Sequence, residues 1–361
     1  MTTYDLATNP VVAVWETTHA DHPHAPFLAG SSYDWEPREL SATEAEKLIR
    51  DVADLRAPVF VFAGANPLAR PEIASLVQYA CSCGLRPSIV LKDSRLLTRE
   101  IIENLKSSGL SRCGLALHGA SVEVHENISC VHGSFRRTLQ AMKWVNECRV
   151  QLQVHTELSR GNFRDLEHIA ALLKGLRVLV WSLVFPAHGR EAAAQDFTAE
   201  EYEAIFERIY AIAQNVDFKI KPVEADHYRR YVTQKRTLFR IDKTGALPVP
   251  FGEHGIPGVL PINDARGTIF IGSTGEVYPS AQIGESAGNV RTARLKDLYR
   301  DSQLFRALRD PALLKGKCGD CEYKQMCGGS RARAWIETGD MFAEDEACAY
   351  QPATTRAYKA G

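Results

Sequence analysis

The chain has 361 residues, of which 45% are hydrophobic and 24% are charged, and its formal net charge is −1. This composition is typical of a globular protein with one large core and a small additional domain. The near-neutral charge argues against nucleic acid or an anionic membrane surface as a partner, and no apolar run is long enough to predict a transmembrane helix. Nine cysteines without an export signal predict a reducing, cytoplasmic location.

Short apolar runs alternate with segments of helical periodicity, which is typical of an α/β fold with a parallel sheet. Ser41 and Glu44 form a capping-box pattern, and Gly84 and Gly109 stand where helices are expected to end. The predicted strands are Val11–Glu16, Val59–Ala63, Pro87–Lys92, Arg112–Leu117, Val150–Thr156 and Arg177–Phe185. The predicted helices are Glu44–Leu55, Pro71–Ala80, Arg99–Ser108, Ser134–Glu147 and Phe163–Leu173. Six strand–helix units permit a partial (β/α)6 barrel or a doubly wound sheet.

The pattern continues beyond the sixth unit and then changes. The further predicted elements are a helix at Thr198–Gln214, a strand at Asp217–Ile220, a helix at Glu224–Arg236, a hairpin from Thr268–Ile271 to Glu276–Tyr278 and a helix at Leu295–Leu308. Ala246–Gly258 is rich in glycine and proline and is interpreted as a linker or ordered loop. The basic run Arg229–Arg236 is typical of a solvated helix face, although such a run could also bind a carboxylate or phosphate.

Four cysteines near the C-terminus have the spacing C-x2-C-x5-C, followed by twenty residues and a fourth cysteine. They are Cys318, Cys321, Cys327 and Cys348. Two thiolates that are close in sequence, a third shortly after them and a fourth on a later segment can together surround a metal centre. Gly328 and Gly329 would let the backbone pass close to that centre. The spacing does not separate an iron–sulfur cluster from a four-cysteine zinc or iron site, and buried thiols or a disulfide are the alternatives.

The segment from about Gly267 to Pro352 resembles the C-terminal extension of radical SAM/SPASM proteins, in its shorter "twitch" form. The resemblance rests on the runs GTIFIGSTGEVYPS and AGNV and on the cysteine-containing run that follows. It implies that the four cysteines bind one auxiliary [4Fe–4S] cluster. Ser280 and Ser330 stand where full SPASM domains have further cysteines, so a second auxiliary cluster is not expected.

The rest of the chain resembles the catalytic domain of the same family, nearest the branch with heme-biosynthesis and peptide-modifying members. The resemblance implies a partial (β/α)6 TIM-like barrel in residues 1–240, and a linker with a SPASM/twitch-like cluster domain in 241–361. In this family a C-x3-C-x2-C motif holds the cluster that cleaves S-adenosylmethionine (AdoMet). Here the resemblance places Asp21, Ala25 and Leu28 at those positions, and the family's Gly-Gly-Glu/Asp-Pro reads Gly64–Pro67. AdoMet is therefore not expected as a cofactor.

Several histidines follow the predicted strands at the barrel mouth. His19, His22 and His24 follow the first strand, His118 follows the fourth and His155 ends the fifth. Neutral imidazole is a common ligand for transition metals and heme iron, so these side chains predict a second metal or heme site. The other polar residues assigned to the mouth are Glu16, Asp21, Glu157, Glu224 and His227. The alternative is a solvated loop with a sheet histidine at His155, while His125 and His168 are expected at the surface.

These features predict a divergent redox metalloprotein in cofactor or natural-product biosynthesis, without AdoMet cleavage. Its substrate would be a tetrapyrrole, a peptide or an amino-acid derivative bound in the barrel, and an electron donor would be its partner. The alternative is a catalytically inactive protein that acts as a scaffold or electron-transfer partner of an active radical SAM homologue. AdoMet cleavage with another ligand set is a third hypothesis, but oxygen and aliphatic side chains do not suit an iron–sulfur cluster.

Overall fold

The computed structural model describes residues 5–18, 39–187, 196–244 and 262–353, with the backbone alone described for 237–244. Within these residues nine strands form one open sheet. They are β1 (Val12–Glu16), β2 (Val59–Ala63), β3 (Arg86–Leu91), β4 (Arg112–Ala116), β5 (Gln151–Glu157), β6 (Val178–Val184), β7 (Lys219–Val223), β8 (Thr268–Ile271) and β9 (Val277–Tyr278). Their spatial order is β7-β6-β5-β4-β3-β2-β1-β8-β9, and β9 alone pairs in antiparallel fashion. The predicted partial barrel is thus confirmed as an open, mostly parallel sheet.

The described residues contain twelve α-helices, of which the first eight lie between consecutive parallel strands and the last four follow β9. They are α1 (Ala42–Asp54), α2 (Ile73–Ser82), α3 (Arg99–Ser107), α4 (Val122–Ser129), α5 (Ser134–Glu147), α6 (Leu166–Lys174), α7 (Ala199–Ala213), α8 (Tyr228–Thr244), α9 (Leu295–Asp301), α10 (Gln303–Arg309), α11 (Gly316–Asp320) and α12 (Arg331–Thr338). The capping box predicted at Ser41 and Glu44 is present at the start of α1. Gly84 and Gly109 adopt positive φ angles where α2 and α3 end, as expected for C-terminal stops.

One helix was missed, and two helix predictions were wrong in part. α4 was not predicted, because its apolar positions are too few for a clear period. The helix expected at Leu295–Leu308 is divided at Ser302, which is extended and whose hydroxyl accepts a hydrogen bond from the Phe305 amide at the start of α10. The helix expected from Glu224 begins only at Tyr228, because Glu224 has a left-handed φ of 58°.

Alternation along the strands divides their side chains between two faces. On the outer face, Trp15, Phe60 and Phe62 are fully buried against the helices, and the two phenylalanine rings meet edge to face with centroids 4.9 Å apart. Burying each such ring stabilises the fold by roughly 1.5–3 kcal/mol. The residues between them, including Val14 and Val61, point to the inner face and line a cavity. Because successive side chains point to opposite faces, the same strands supply both the core and the cavity wall.

The C-terminal segment continues the sheet of the barrel, because β8 pairs with β1 in parallel register from Val12–Thr268 to Trp15–Ile271. The division into residues 1–240 and 241–361 stays a prediction. No helix among the described residues is long and apolar enough to cross a membrane.

Candidate functional site

The inner face of the sheet encloses a cavity of about 460 Å³, which segments from the C-terminal part close on one side. We call it the barrel cavity. Strands β1 to β3 contribute a mostly apolar wall with Val12, Val14, Val59, Val61 and Val90, in which Glu16 and Ser88 are the polar side chains. Strands β4 to β7 contribute a polar wall, which includes Arg112, Gln153, His155, Ser182 and Lys221. The cavity is therefore amphipathic, and its two walls come from the two halves of the sheet.

Hydrogen bonds order part of the polar wall. Arg112 Nη1 donates to Gln153 Oε1 at 3.3 Å, and Gln153 Nε2 donates to Ser182 Oγ at 3.0 Å. His155, Ser182 and Lys221 lie in register on β5, β6 and β7. Burial is the main cause of three lowered pKa values here, those of Arg112, Lys221 and His155, the last to about 4. Lys221 is exposed toward the cavity, although protein surrounds it.

Three carboxyl groups lie where the barrel cavity meets the C-terminal segment: Glu224, Asp226 and Asp264. Burial raises all three pKa values, and the neighbouring carboxylates raise them further. Each carboxyl has a polar contact. Ser330 Oγ donates to Glu224 Oε2 at 2.6 Å, the Ala332 amide donates to Asp264 Oδ2 at 3.1 Å, and Arg229 lies 2.9 Å from Asp226.

A second, smaller cavity of about 20 Å³ contains the four predicted cysteines. We call it the cysteine cavity. Three sulfurs accept backbone N–H groups at 3.4 Å: Tyr323 donates to Cys321, Gly329 to Cys327 and Asp345 to Cys318. The guanidinium groups of Arg331 and Arg230 lie 4.0 Å from Cys318 Sγ and Cys348 Sγ. Such donors stabilise negative charge on sulfur and orient it, as partners of metal-bound thiolates do.

The backbone beside these sulfurs favours glycine, by its conformation at Gly328 and by both conformation and lack of space at Gly329. Gly328 and Gly329 both have φ of 71°, which disfavours other residues. A Cβ atom at Gly329 would lie 2.7 Å from Asp345 Cβ and 3.2 Å from Cys318 Sγ. The prediction that these glycines allow a close approach to the cysteines therefore agrees with the backbone. The four-thiol donor set fits the [4Fe–4S] cluster that the family resemblance implies.

Burial raises the pKa of each of the four thiols in the protein chain alone, that of Cys348 to about 11. A thiol that coordinates a metal is deprotonated outright, because the ion's charge exceeds every other local effect. Cluster binding at this site would therefore release protons. When bound, such a cluster supplies one-electron transfer.

Sequence reasoning missed two residues of the cysteine cavity, His227 and Arg230. His227 was assigned to the barrel mouth, but it is fully buried, its Nδ1 lies 3.6 Å from Asp345 Oδ2, and it packs on Tyr202 and Phe206. Arg230 belongs to the basic run expected to be solvated, yet it is 4% exposed and pairs with Glu203. Neither has a sequence signal, since only the tertiary fold brings the start of α8 to the cysteines.

Arg333 connects the barrel with the cysteine segment. It is 1% exposed, and its guanidinium donates to the Glu224 carbonyl at 2.9 Å, to Tyr202 Oη at 2.6 Å and to Asp345 Oδ1 at 3.4 Å. Burial opposes the charge of Asp345, but Arg333 and His227 lower the pKa of Asp345 to about 2. Asp345 in turn donates its amide to Cys318, so one network of contacts runs from the barrel to the sulfurs.

The predicted second metal site lies only partly within the described residues. His19, His22 and His24 fall outside them, as do Asp21, Ala25 and Leu28. His155 lines the barrel cavity, whereas the His118 ring stacks on His125 with centroids 5.6 Å apart. Burial lowers the pKa of His118 to about 3, with smaller contributions from His125 and His155. No three His, Cys, Asp or Glu residues in the described ranges are arranged to hold a single metal ion, and the predicted site stays a prediction.

Two further expectations can be compared with the structure. His125 was expected at the surface, but it is 2% exposed, because its Nδ1 accepts the His118 amide at 3.1 Å and its ring packs on Phe135. In the altered Gly64–Pro67 segment, Asn66 Oδ1 accepts the Leu68 amide at 3.1 Å and caps a short 3-10 helix. This side chain therefore has a local structural role.

Comparisons with known proteins agree with the geometry. A model of the Radical SAM superfamily matches residues 20–174. The chain is 30% identical over 346 residues to an AdoMet-dependent heme synthase of Methanosarcina barkeri, covering 95% of this chain and 97% of the relative. It is 31% identical over 320 residues to an AdoMet-dependent heme synthase of Oleidesulfovibrio alaskensis, with 88% and 81% covered. A PqqA peptide cyclase of Rhodopseudomonas palustris is 25% identical over 365 residues, with 97% and 89% covered.

Solved structures share the fold at low identity. SuiB of Streptococcus suis, solved with AdoMet and with its precursor peptide SuiA, has a TM-score of 0.72 at 14% identity, covering 95% of this chain and 76% of SuiB. A structure of anSMEcpe with bound AdoMet has a TM-score of 0.63 at 13% identity, with 97% and 95% covered. The fold is shared across these proteins, and the full-length identity to the heme synthases shows the family. The chain belongs to the radical SAM superfamily.

Proposed function

We propose that this chain is a divergent radical SAM protein of cofactor or natural-product biosynthesis that holds one [4Fe–4S] cluster in the cysteine cavity and does not cleave AdoMet. The observation that carries the proposal is a contrast between two sites. Four cysteines line one cavity with backbone donors to three of the sulfurs, whereas no cysteine precedes Cys81, and the family resemblance places Asp21, Ala25 and Leu28 where the family has the cysteines for AdoMet cleavage.

The barrel cavity is the substrate site in this proposal. The relatives named as heme synthases and peptide cyclases favour a tetrapyrrole or a peptide, and the identity to the heme synthases favours the tetrapyrrole. The amphipathic walls of the cavity would orient an apolar molecule with polar substituents. Four residues of the chain would hold the cluster beside this cavity: Cys318, Cys321, Cys327 and Cys348.

A non-catalytic scaffold or electron-transfer partner is the second candidate function. The network through Arg333 and Asp345 favours it, because this network ties the cysteines to the barrel and gives the cluster a structural role. A small segment closed around a four-thiolate centre gains folding free energy from the metal.

The test measures iron, sulfide and other metals in anaerobically purified protein, together with AdoMet consumption under reducing conditions. Cys318→Ala/Cys321→Ala should lose all iron, and the control Cys81→Ala/Cys83→Ala should keep about four irons per chain. Consumption of AdoMet by the wild type would overturn the proposal. A metal that survives in the first variant but is lost in His22→Ala/His24→Ala would place a second centre in the barrel and make an enzyme the better interpretation.

A further inference from the structure

The polar wall of the barrel cavity contains nitrogen atoms that the protein does not use. Arg112 Nε and His155 Nε2 are buried without a hydrogen-bond partner in residues 5–18, 39–187, 196–244 and 262–353. Lys221 has neither a hydrogen bond nor an ion pair within the described part of the chain, although it lines the same cavity. Buried polar groups are paired in the great majority of cases, and each unpaired group lowers the stability of the fold. The side chains of Arg112 on β4 and His155 on β5 line this cavity, and Lys221 on β7 is exposed toward it, so three donor side chains from different strands surround one space and indicate a ligand.

We propose that Arg112, His155 and Lys221 form a binding site for the carboxylate of an apolar molecule. The ligand class follows from the donors, since a guanidinium, an ammonium and an imidazole N–H all donate to oxygen, and the first two carry charge. The site deepens the proposed function, because the identification of the apolar molecule as a tetrapyrrole rests on that function.

The position of Arg112 is held by its neighbours. Its Nη1 donates to Gln153 Oε1, and Gln153 is itself held by Ser182, so the guanidinium is ordered before a ligand arrives. Gly114 leaves room for the His155 ring, because a Cβ at Gly114 would lie 2.8 Å from His155 Nε2. A binding site whose donors are ordered in advance loses less entropy when the ligand binds.

The acidic groups of the cavity do not neutralise this site. Glu224 and Asp226 attract Lys221, yet Asp226 pairs with Arg229, and Glu224 accepts the hydroxyl of Ser330. Asp264 accepts the Ala332 amide, and Glu16, a fourth acid that lines the cavity, attracts Lys92. The contacts of Glu224, Asp226 and Asp264 hold these three carboxyl groups toward the C-terminal segment, so Lys221 remains available to a ligand.

The apolar wall indicates that the part of the ligand beyond its carboxylate is apolar. Valine side chains from three strands face the cavity opposite the polar wall: Val12, Val14, Val59, Val61 and Val90. A small hydrophilic carboxylate would leave this wall in contact with water, whereas a flat or bulky hydrocarbon would bury it. The cavity of about 460 Å³ has room for a fused aromatic ring system.

The test uses two fluorescent probes that differ in charge alone, 1-pyrenebutyrate and 1-pyrenebutanol, with full-length protein. The carboxylate should bind at least about tenfold more tightly than the alcohol, because charge-assisted hydrogen bonds exceed neutral ones. Lys221→Met and Arg112→Met should each weaken carboxylate binding about tenfold and leave alcohol binding unchanged. Lys219→Met is the matched control, since it removes a lysine from the same strand that does not line the cavity, and should change neither affinity.

Equal affinity for the two probes would overturn the proposal, as would a Lys221→Met protein that binds like Lys219→Met. Circular dichroism establishes that each variant is folded, and Lys221→Gln replaces Lys221→Met if the latter is not. A second pair, protoporphyrin IX and its dimethyl ester, separates this proposal from the proposed function. If the pyrene pair is discriminated and the porphyrin pair is not, the carboxylate site is supported and the tetrapyrrole assignment is wrong.

Discussion

The two cavities of this protein differ in how their polar groups are used. In the cysteine cavity, backbone N–H groups already donate to three of the four sulfurs, and glycines bring the chain close to them. In the barrel cavity, Arg112 Nε, His155 Nε2 and the Lys221 ammonium have no hydrogen-bond partner among the residues that the structure describes. Sulfurs that already accept hydrogen bonds from the protein suit a resident group, and donors without a protein partner suit a ligand that binds and leaves. The polar contacts, more than cavity size, therefore distinguish a site for a resident group from a site for a ligand that binds and leaves.

The barrel and the C-terminal segment that carries the cysteines are nevertheless joined by buried and surface ion pairs. Arg333 contacts both the barrel and Asp345 beside the cysteines. On the surface, Arg291 of the C-terminal segment pairs with Glu44 of α1. Three changes to these contacts measure how far the stability of one region depends on the other.

The largest effect is expected for Arg333→Met. The variant leaves Asp345 without its buried counter-charge, and the loss of one partner of a buried ion pair lowers the free energy of unfolding by about 3–5 kcal/mol. Chemical unfolding followed by circular dichroism and by absorbance of the cluster measures it. Arg306→Met, at an exposed position of α10, is the control. If Arg333→Met and Arg306→Met have the same free energy of unfolding, the contacts of Arg333 do not couple the stability of the barrel to that of the C-terminal segment.

A smaller effect concerns Glu337, which lies beside Arg333. Burial raises the pKa of Glu337 to about 7, although Arg333 opposes the shift. The folded protein therefore binds more protons than the unfolded chain between about pH 4.5 and 7, and the contribution of Glu337 to stability declines as pH rises through this range. Since Glu337 is 20% exposed, solvent reduces the full effect of this shift. We expect the free energy of unfolding of the wild type to fall by about 2 kcal/mol relative to that of Glu337→Gln across this pH range.

The measurement for Glu337→Gln is urea unfolding of wild type and variant at several pH values in that range. Glu285→Gln, at an exposed position of the C-terminal segment, is the control and should follow the wild-type curve. A constant difference between Glu337→Gln and wild type across the range would contradict the prediction.

The smallest effect is expected for Arg291→Met at the surface contact between the regions. The hydrogen bond from Arg291, followed by the capping contact with Ser41, lowers the pKa of Glu44 to about 2. The pair therefore stabilises the fold above about pH 4.5, and its contribution is lost as pH falls toward 2. With side chains 30% and 38% exposed, the variant should lose at most about 1 kcal/mol at pH 7. Unfolding curves at neutral and acidic pH measure the loss, and an unchanged difference at acidic pH would contradict this assignment.

The sheet was predictable because parallel strands covered on both sides keep strong local signals. The strands predicted at Val59–Ala63 and Thr268–Ile271 agree with β2 and β8. Helix ends were less predictable where a single residue changed the backbone, as at Ser302 and Glu224. Extended and left-handed conformations at such positions depend on contacts made elsewhere in the fold, so a helical period cannot reveal them.

The site was predictable only where its chemistry is concentrated in sequence. The spacing of the four cysteines, with Gly328 and Gly329 beside them, was sufficient to indicate that they share one cavity. His227 and Arg230 lie about ninety residues before Cys318 and gave no such indication. Likewise, nothing local relates Arg112, His155 and Lys221, because each lies on a different strand.

The alternating strands and helices and the four-cysteine segment could be predicted from the residues alone, and the family resemblance added the prediction that Asp21, Ala25 and Leu28 stand where the family has its AdoMet-cluster cysteines. These features depend on local periodicity and short spacing, which a chain carries in any conformation. Only the tertiary structure decided which polar groups meet, that His227 joins the cysteines and that Arg112, His155 and Lys221 share one wall of a cavity. The physical reason is that parallel pairing sets the register of distant strands, and register alone decides which side chains face each other.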